Sequence, residues 1–263
     1  MRLTNSPPQG SKVPALDRGI ALLRHLRRPL SAAELQRRLG IHRASVYRLL
    51  DVFLANGFVT QSPKTGFYAL GPELMTLGYE GRVSSPLASA AKPLLKDISA
   101  ATHHMSELAV YAGGWRLMML DTWLVEGTPA RIQSRAGMLI ELHHLHAHGL
   151  CYLAFAPERR LDEYLRTAAT KAGRRELFLP SPVSPHLRAE IERWRTLGYA
   201  WRSRTQSLEN ARVSVPVFNR HERAKPLIGM LGIVCDTKQM TALRAAETAA
   251  LLKRKAVELE RAL

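Results

Sequence analysis

The stretch AAELQRRLGIHRASVYRLL, residues 32–50, constrains the fold more than any other part of the chain. Leu35 and Leu39 lie one helical turn apart, Gly40 supplies a tight turn, and Ile41, Val46 and Leu49 can lock a second helix onto the first. Two short helices so spaced share one core while the second stays exposed for a major groove. Gln36 stands where a small residue is commonest, a mild departure. Upstream, Leu16, Ile20, Leu23 and Leu26 form an apolar stripe on a first helix that Pro14 can open and Pro29 must stop. Ser31 reads as the N-cap of the second helix, and the third runs to about Ala55 with Val46, Leu49, Leu50 and Phe53 inward. Two β-like runs, 58–60 and 67–70, flank the turn Ser62-Pro63-Lys64-Thr65-Gly66. Three helices and a hairpin predict a winged helix-turn-helix over 14–71, preceded by a flexible arm (1–13) and followed by a connector helix (72–84).

Charge points the same way. The chain carries 38 Lys+Arg against 22 Asp+Glu, a net +16, which favours polyanions or acidic small molecules. Seven arginines (24, 27, 28, 37, 38, 43, 48) face a single acid, Glu34, between residues 24 and 48. The residues expected to meet double-stranded DNA are Ser31, Arg37, His42, Arg43, Ala44, Ser45, Tyr47, Arg48, Lys64, Thr65 and Tyr68. Arginine can pair bidentately with guanine, serine with several bases, and alanine can touch a thymine methyl. Arg37, Lys64 and the helix N-termini suit phosphates.

Residues 14–80 resemble the N-terminal domain of the IclR (isocitrate lyase regulator) family of bacterial transcription factors. The resemblance rests on Ala15-Leu16-Asp17-Arg18-Gly19, Leu30-Ser31, Glu34-Leu35, Leu39-Gly40, Ser45-Val46-Tyr47-Arg48-Leu49-Leu50, Gly57-Phe58-Val59, Tyr68, Leu70-Gly71 and Leu74. It implies a C-terminal GAF-like α/β effector-binding domain and a homodimer or homotetramer on operator DNA.

The remainder, 85–263, fits such a domain. Helices are expected near 86–101, 148–156, 158–170 and 185–197, and at the C-terminus on the stripe Ala249, Leu252, Ala256, Leu259 and Leu263. Strands are expected at 106–111 and 115–122 around the Gly113-Gly114 turn, then at 130–135, 199–205, 211–217 and 227–235. Strands flanked by helices argue for an α+β sandwich with a mainly antiparallel sheet. Relatives usually show Leu-Pro-Leu-His before a helix opening Ala-x-Gly-Lys; here Glu141 replaces the proline and Leu150 the lysine. The resemblance implies an effector site lined by Leu142, His143, Gly149, Leu150, Cys151, Arg202, Ser214, Leu231, Gly232 and Val234. Apolar walls beside His143 and Arg202 suit a small carboxylate, and the stretch 152–158 resembles family activators of phenylpropanoid-type catabolism, which favours an aromatic acid.

His143, His144, His146 and His148 leave a second reading open, a metal-dependent enzyme or zinc-responsive regulator that also uses Glu141. No HExxH and no finger-spaced Cys/His set occurs, so neither catalytic residue, metal nor cofactor is expected. Cys151 and Cys235 make no disulfide framework, and no apolar run approaches the ~20 residues of a membrane span. A cytoplasmic location is expected.

Overall fold

A computed structural model describes residues 13–128, 134–142, 145–170, 173, 184–203 and 210–263. The arm over 1–12, residues 130–133 of an expected strand, His143 and His144 lie outside them. The chain divides into two compact units, Met1–Ser84 and Ser85–Leu263.

In the first unit, α1 (Pro14–His25), α2 (Ala32–Leu39) and α3 (Arg43–Ala55) precede β1 (Val59–Gln61), β2 (Tyr68–Leu70) and α4 (Glu73–Val83). A capping box starts α2: the Glu34 N–H donates to Ser31 Oγ, and the Ser31 N–H donates to the Glu34 carboxylate. Gly40 ends α2 at φ 64°, the left-handed conformation that glycine adopts without a Cβ clash. Leu22, Leu26, Leu30, Leu35, Val46, Leu50, Val59 and Tyr68 make one core. The stripe on α1 departs from expectation. Leu22 and Leu26 are buried, Leu23 packs at the edge, and Leu16 and Ile20 stay exposed, because the helix presents Gly19 and Leu22 to α3 instead. The wing strands pair antiparallel with Val59 opposite Leu70, and Leu30 bridges Tyr68.

In the second unit, α5 (Pro86–Thr102) leads into β3 (Met105–Tyr111), β4 (Arg116–Trp123) and β5 (Leu139–Glu141). Then come α6 (Ala147–Phe155), α7 (Glu158–Ala169), α8 (Leu187–Leu197), β6 (Ala200–Arg202), β7 (Asn210–Phe218), β8 (Leu227–Asp236) and α9 (Ala242–Arg261). The six strands form one antiparallel sheet in the order β5-β4-β3-β8-β7-β6, giving the α+β architecture. The strand β5 was not anticipated. It is a three-residue edge strand against Arg116–Met118, too short for alternation to reveal. Strand alternation then sorts the side chains. Leu108, Val213, Val215, Leu231 and Ile233 point to α5 and α9. Ala109, Met119 and Met230 point to the opposite face, against α6, α7 and α8. No helix among the described residues is long and apolar enough to cross a membrane.

Candidate functional site

Two sets of residues carry chemistry, one in each unit. In the first, Val46 and Leu50 fix the phase of α3 by facing the core, which leaves Arg43, Ala44, Tyr47 and Arg48 exposed and Ser45 half-buried. The Arg43 guanidinium lies 5.5 Å from the Tyr47 ring centroid and its Nη2 donates to Tyr47 Oη at 3.4 Å. Arg48 Nη2 reaches Ser45 Oγ at 3.5 Å. Such exposed contacts are weak and leave both arginines available to bases or phosphates. Arg37, Arg38 and His42 are exposed, as are Lys64 and Thr65 at the wing tip. Two expected DNA contacts are committed elsewhere. The Tyr68 side chain is buried in the core, a place its β-strand alternation gives it, and the Ser31 hydroxyl is engaged by Glu34.

In the second unit the sheet face toward α6 holds polar side chains within an apolar interior. From β3, Glu107 is fully buried; from β7, Asn210, Arg212 and Ser214 project on the same side at every second residue. Arg212 forks onto the Glu107 carboxylate, Nε to Oε2 at 3.1 Å and Nη2 to Oε1 at 3.4 Å. Its remaining donors reach Asn210 Oδ1 at 2.9 Å and Ser134 Oγ at 3.3 Å. Ser134 Oγ also donates to Glu107. His148, on the first turn of α6, sets Nε2 3.1 Å from Glu107 Oε2 and Nδ1 2.8 Å from Ser214 Oγ. Burial alone would raise the Glu107 pKa; the Arg212 charge and the His148 contact outweigh it and hold the carboxyl well below the usual carboxylate range. Burial pushes the Cys151 thiol up to about 12, partly offset by its hydrogen bond to Ser214.

Glycine is required beneath this cluster. A Cβ on Gly232 would stand 2.4 Å from the Val213 carbonyl oxygen and 2.7 Å from His148 Cε1, so the bare backbone of β8 makes the floor on which the imidazole rests. Val234, two residues on, packs against Met105. Above, α6 begins at a buried end. His146, Ala147, His148 and Gly149 are all buried, and the His146 side chain at the N-cap position makes no capping hydrogen bond to the first turn. The first-turn N–H groups of any helix lack intrahelical partners and favour negative charge.

The expected effector residues therefore separate. Gly149, Cys151, Ser214, Gly232 and Val234 gather at the cluster or next to it. Leu142 and Leu150 are buried in the apolar core beneath α6. Leu231 faces the other side of the sheet, because the residues alternating with Gly232 and Val234 point to α5 and α9. Arg202 pairs with Glu190 of α8. Sequence reasoning missed Glu107 and Arg212. The available signal was the alternation Asn210-Ala211-Arg212-Val213-Ser214-Val215, which places an arginine among polar residues on one face of an interior strand. Among the described residues, no group of three or more His, Cys, Asp or Glu could hold a metal ion; His143 and His144 lie outside them.

Residues 82–261 match the family model described as bacterial transcriptional regulator IclR C-terminal, and residues 15–63 match the IclR helix-turn-helix domain. The Pca regulon regulatory protein of Pseudomonas putida is 31% identical over 210 residues, 78% of this chain and 69% of the relative. An IclR-type regulator from Alicyclobacillus acidocaldarius shares the fold with a TM-score of 0.76 at 22% identity, over 96% of this chain and 99% of that one. An IclR homolog from Microbacterium hydrocarbonoxydans, solved with 4-hydroxybenzoate, superposes with a TM-score of 0.65 at 19% identity, over 95% and 98% of the two chains. With both units matched in their family order, the chain belongs to the IclR family of bacterial transcription regulators.

Proposed function

We propose that the protein reads a two-fold operator in duplex DNA through α3 and the wing, and that a small organic carboxylate, an aromatic one for preference, binds at the start of α6 and shifts its affinity for DNA. The observation that carries the effector reading is the buried N-terminus of α6 set against the Glu107–Arg212–His148–Ser214 cluster. A carboxylate there would accept hydrogen bonds from backbone N–H groups and Ser214. This anchor replaces Arg202, whose guanidinium Glu190 already occupies. The aromatic preference draws on the neighbour bound to 4-hydroxybenzoate. A regulatory ligand must bind one conformation better than the other, so DNA and acid must alter each other's affinity by the same factor.

Homodimerisation is part of this proposal. Leu16 and Ile20 on α1, with Met75, Leu77, Tyr79 and Val83 on α4, are exposed within the first unit, and such faces mark association surfaces. A duplex selected from a random pool by the full chain gives the test. Its affinity should change when benzoate, 4-hydroxybenzoate or pyruvate is added. An affinity unmoved by the whole set would count against the effector reading.

A further inference from the structure

Two exposed arginines on α3 each have a partner on the same helix, and the partners differ in kind. Arg43 and Tyr47 stand four residues apart, hence on one face a single turn apart. The Arg43 guanidinium carbon lies over the Tyr47 ring, 5.5 Å from its centroid, within the range at which a ring face attracts a cation. Arg43 Nη2 also donates to Tyr47 Oη at 3.4 Å, a long bond that water or a base can replace. Arg48 meets a hydroxyl instead, Ser45 Oγ, at 3.5 Å. The Tyr47 phenol in turn stands near the wing: burial, and after it the neighbouring Tyr47 and Asp51, raise the pKa of Tyr68 on β2.

A guanidinium has two separate surfaces for recognition. Its faces can lie on an aromatic ring, while its N–H edge pairs with O6 and N7 of a guanine. A ring contact therefore leaves the reading edge open, whereas the bond to Tyr47 Oη competes with it. An arginine on a free stem must lose rotamer freedom to pair bidentately, and a ring that already holds the guanidinium reduces that loss. A phosphate contact asks for charge and tolerates a looser side chain.

Resting on the reading that α3 enters the major groove of an operator, we propose that Tyr47 is a positioning residue rather than a base contact. Its ring holds the Arg43 guanidinium for bidentate pairing with one guanine in each half-site, which makes Arg43 the arginine of α3 that fixes base identity. The Tyr47 hydroxyl is given up when Arg43 turns its edge to the base, and the ring contact is kept. Arg48, with a hydroxyl for a partner, anchors the backbone through a phosphate.

The test titrates the full-length protein with a duplex selected from a random pool, read by fluorescence anisotropy. Copies of that duplex carry 7-deazaguanine at each guanine in turn, a base that pairs normally but lacks the N7 acceptor. Replacement at one guanine per half-site should weaken wild-type binding. Arg43→Ala should abolish that dependence and itself cost about five- to a hundredfold in affinity. Tyr47→Ala should cost about two- to fivefold, and Tyr47→Phe, which keeps the ring, should bind like wild type. In the Arg43→Ala background Tyr47→Ala should have no further effect. Arg48→Lys should keep the guanine dependence, whereas Arg43→Lys should lose it, since an ammonium has no fork. Both α3 positions are exposed, so each variant should unfold near the wild-type Tm. Wild-type binding by Tyr47→Ala, or an equal loss with and without Arg43, would overturn the inference, as would a 7-deazaguanine profile that Arg43→Ala leaves unchanged. Binding unaltered by Arg43→Ala and Arg48→Ala together would instead overturn the reading of α3 on which it rests.

Discussion

The recognition face of α3 and the cluster beneath α6 both depend on arginine, in opposite surroundings. Arg43 and Arg48 stand in water, with weak partners that DNA can displace. Arg212 is enclosed and forked onto Glu107, so its charge is cancelled where it lies. In water a surplus of unpaired cations costs little and attracts a polyanion at long range. In the interior the same surplus would be prohibitive, and Arg212 is matched by Glu107. One arginine-rich chain therefore holds its cations in two ways, exposed to water in the first unit and cancelled by a buried carboxylate in the second.

Removing charge should separate the two regions most sharply in stability. Glu107→Ala leaves Arg212 and the His148 contact without their acceptor in a closed interior. The second unit should lose about 3–5 kcal/mol in a denaturant titration, whereas Arg43→Ala should leave stability within about 0.5 kcal/mol. The buried carboxylate also makes the second unit acid-sensitive. Its folded pKa lies below the unfolded value, so its stabilisation is present at neutral pH and is lost as pH falls from the usual carboxylate range. Glu107→Gln should flatten that part of the profile, as acid unfolding followed by circular dichroism would show.

Next in size come functional effects. Arg43→Ala should weaken binding to a selected duplex by about 1–3 kcal/mol if it pairs a guanine, without changing acid affinity in calorimetry. Ser31→Ala removes the capping hydroxyl of α2 and should cost the first unit about 1 kcal/mol in thermal unfolding. The smallest effect should come from Arg202→Ala. Because Arg202 is engaged with Glu190, acid affinity measured by calorimetry should stay near the wild-type value. A large loss there would return the carboxylate anchor to Arg202 and blunt the contrast between buried and exposed cations.

The two regions also differ in how legible they were in the sequence. The helix-turn-helix announces itself because its core, caps and turn lie within 19 consecutive residues, so Ser31, Gly40 and Val46 carry local signals that the structure bears out. Exposure of the α3 arginines follows from the same helical phase. The polar cluster joins Glu107, His148 and Arg212 across more than a hundred residues and three elements, and no local pattern ties them together. Gly232 and Val234 could be read from their strand, but Leu231 was assigned to the same face although strand alternation places it on the other. The α1 stripe misled for a related reason. Periodicity finds an apolar face without saying what covers it, and Leu16 and Ile20 are exposed within their own unit.

The division of labour between the units is tested most directly by titrating a selected duplex, followed by fluorescence anisotropy, with wild-type protein and with the Arg43→Ala/Arg48→Ala double variant, each with and without a binding acid. The account predicts that the double variant loses at least about tenfold in DNA affinity while its acid Kd is unchanged, and that in the wild type the acid shifts DNA affinity by the factor by which DNA shifts acid affinity. Unaltered DNA binding by the double variant would contradict the assignment of α3 as the reading helix, and acid binding that leaves wild-type DNA affinity untouched would contradict the coupling between the two units.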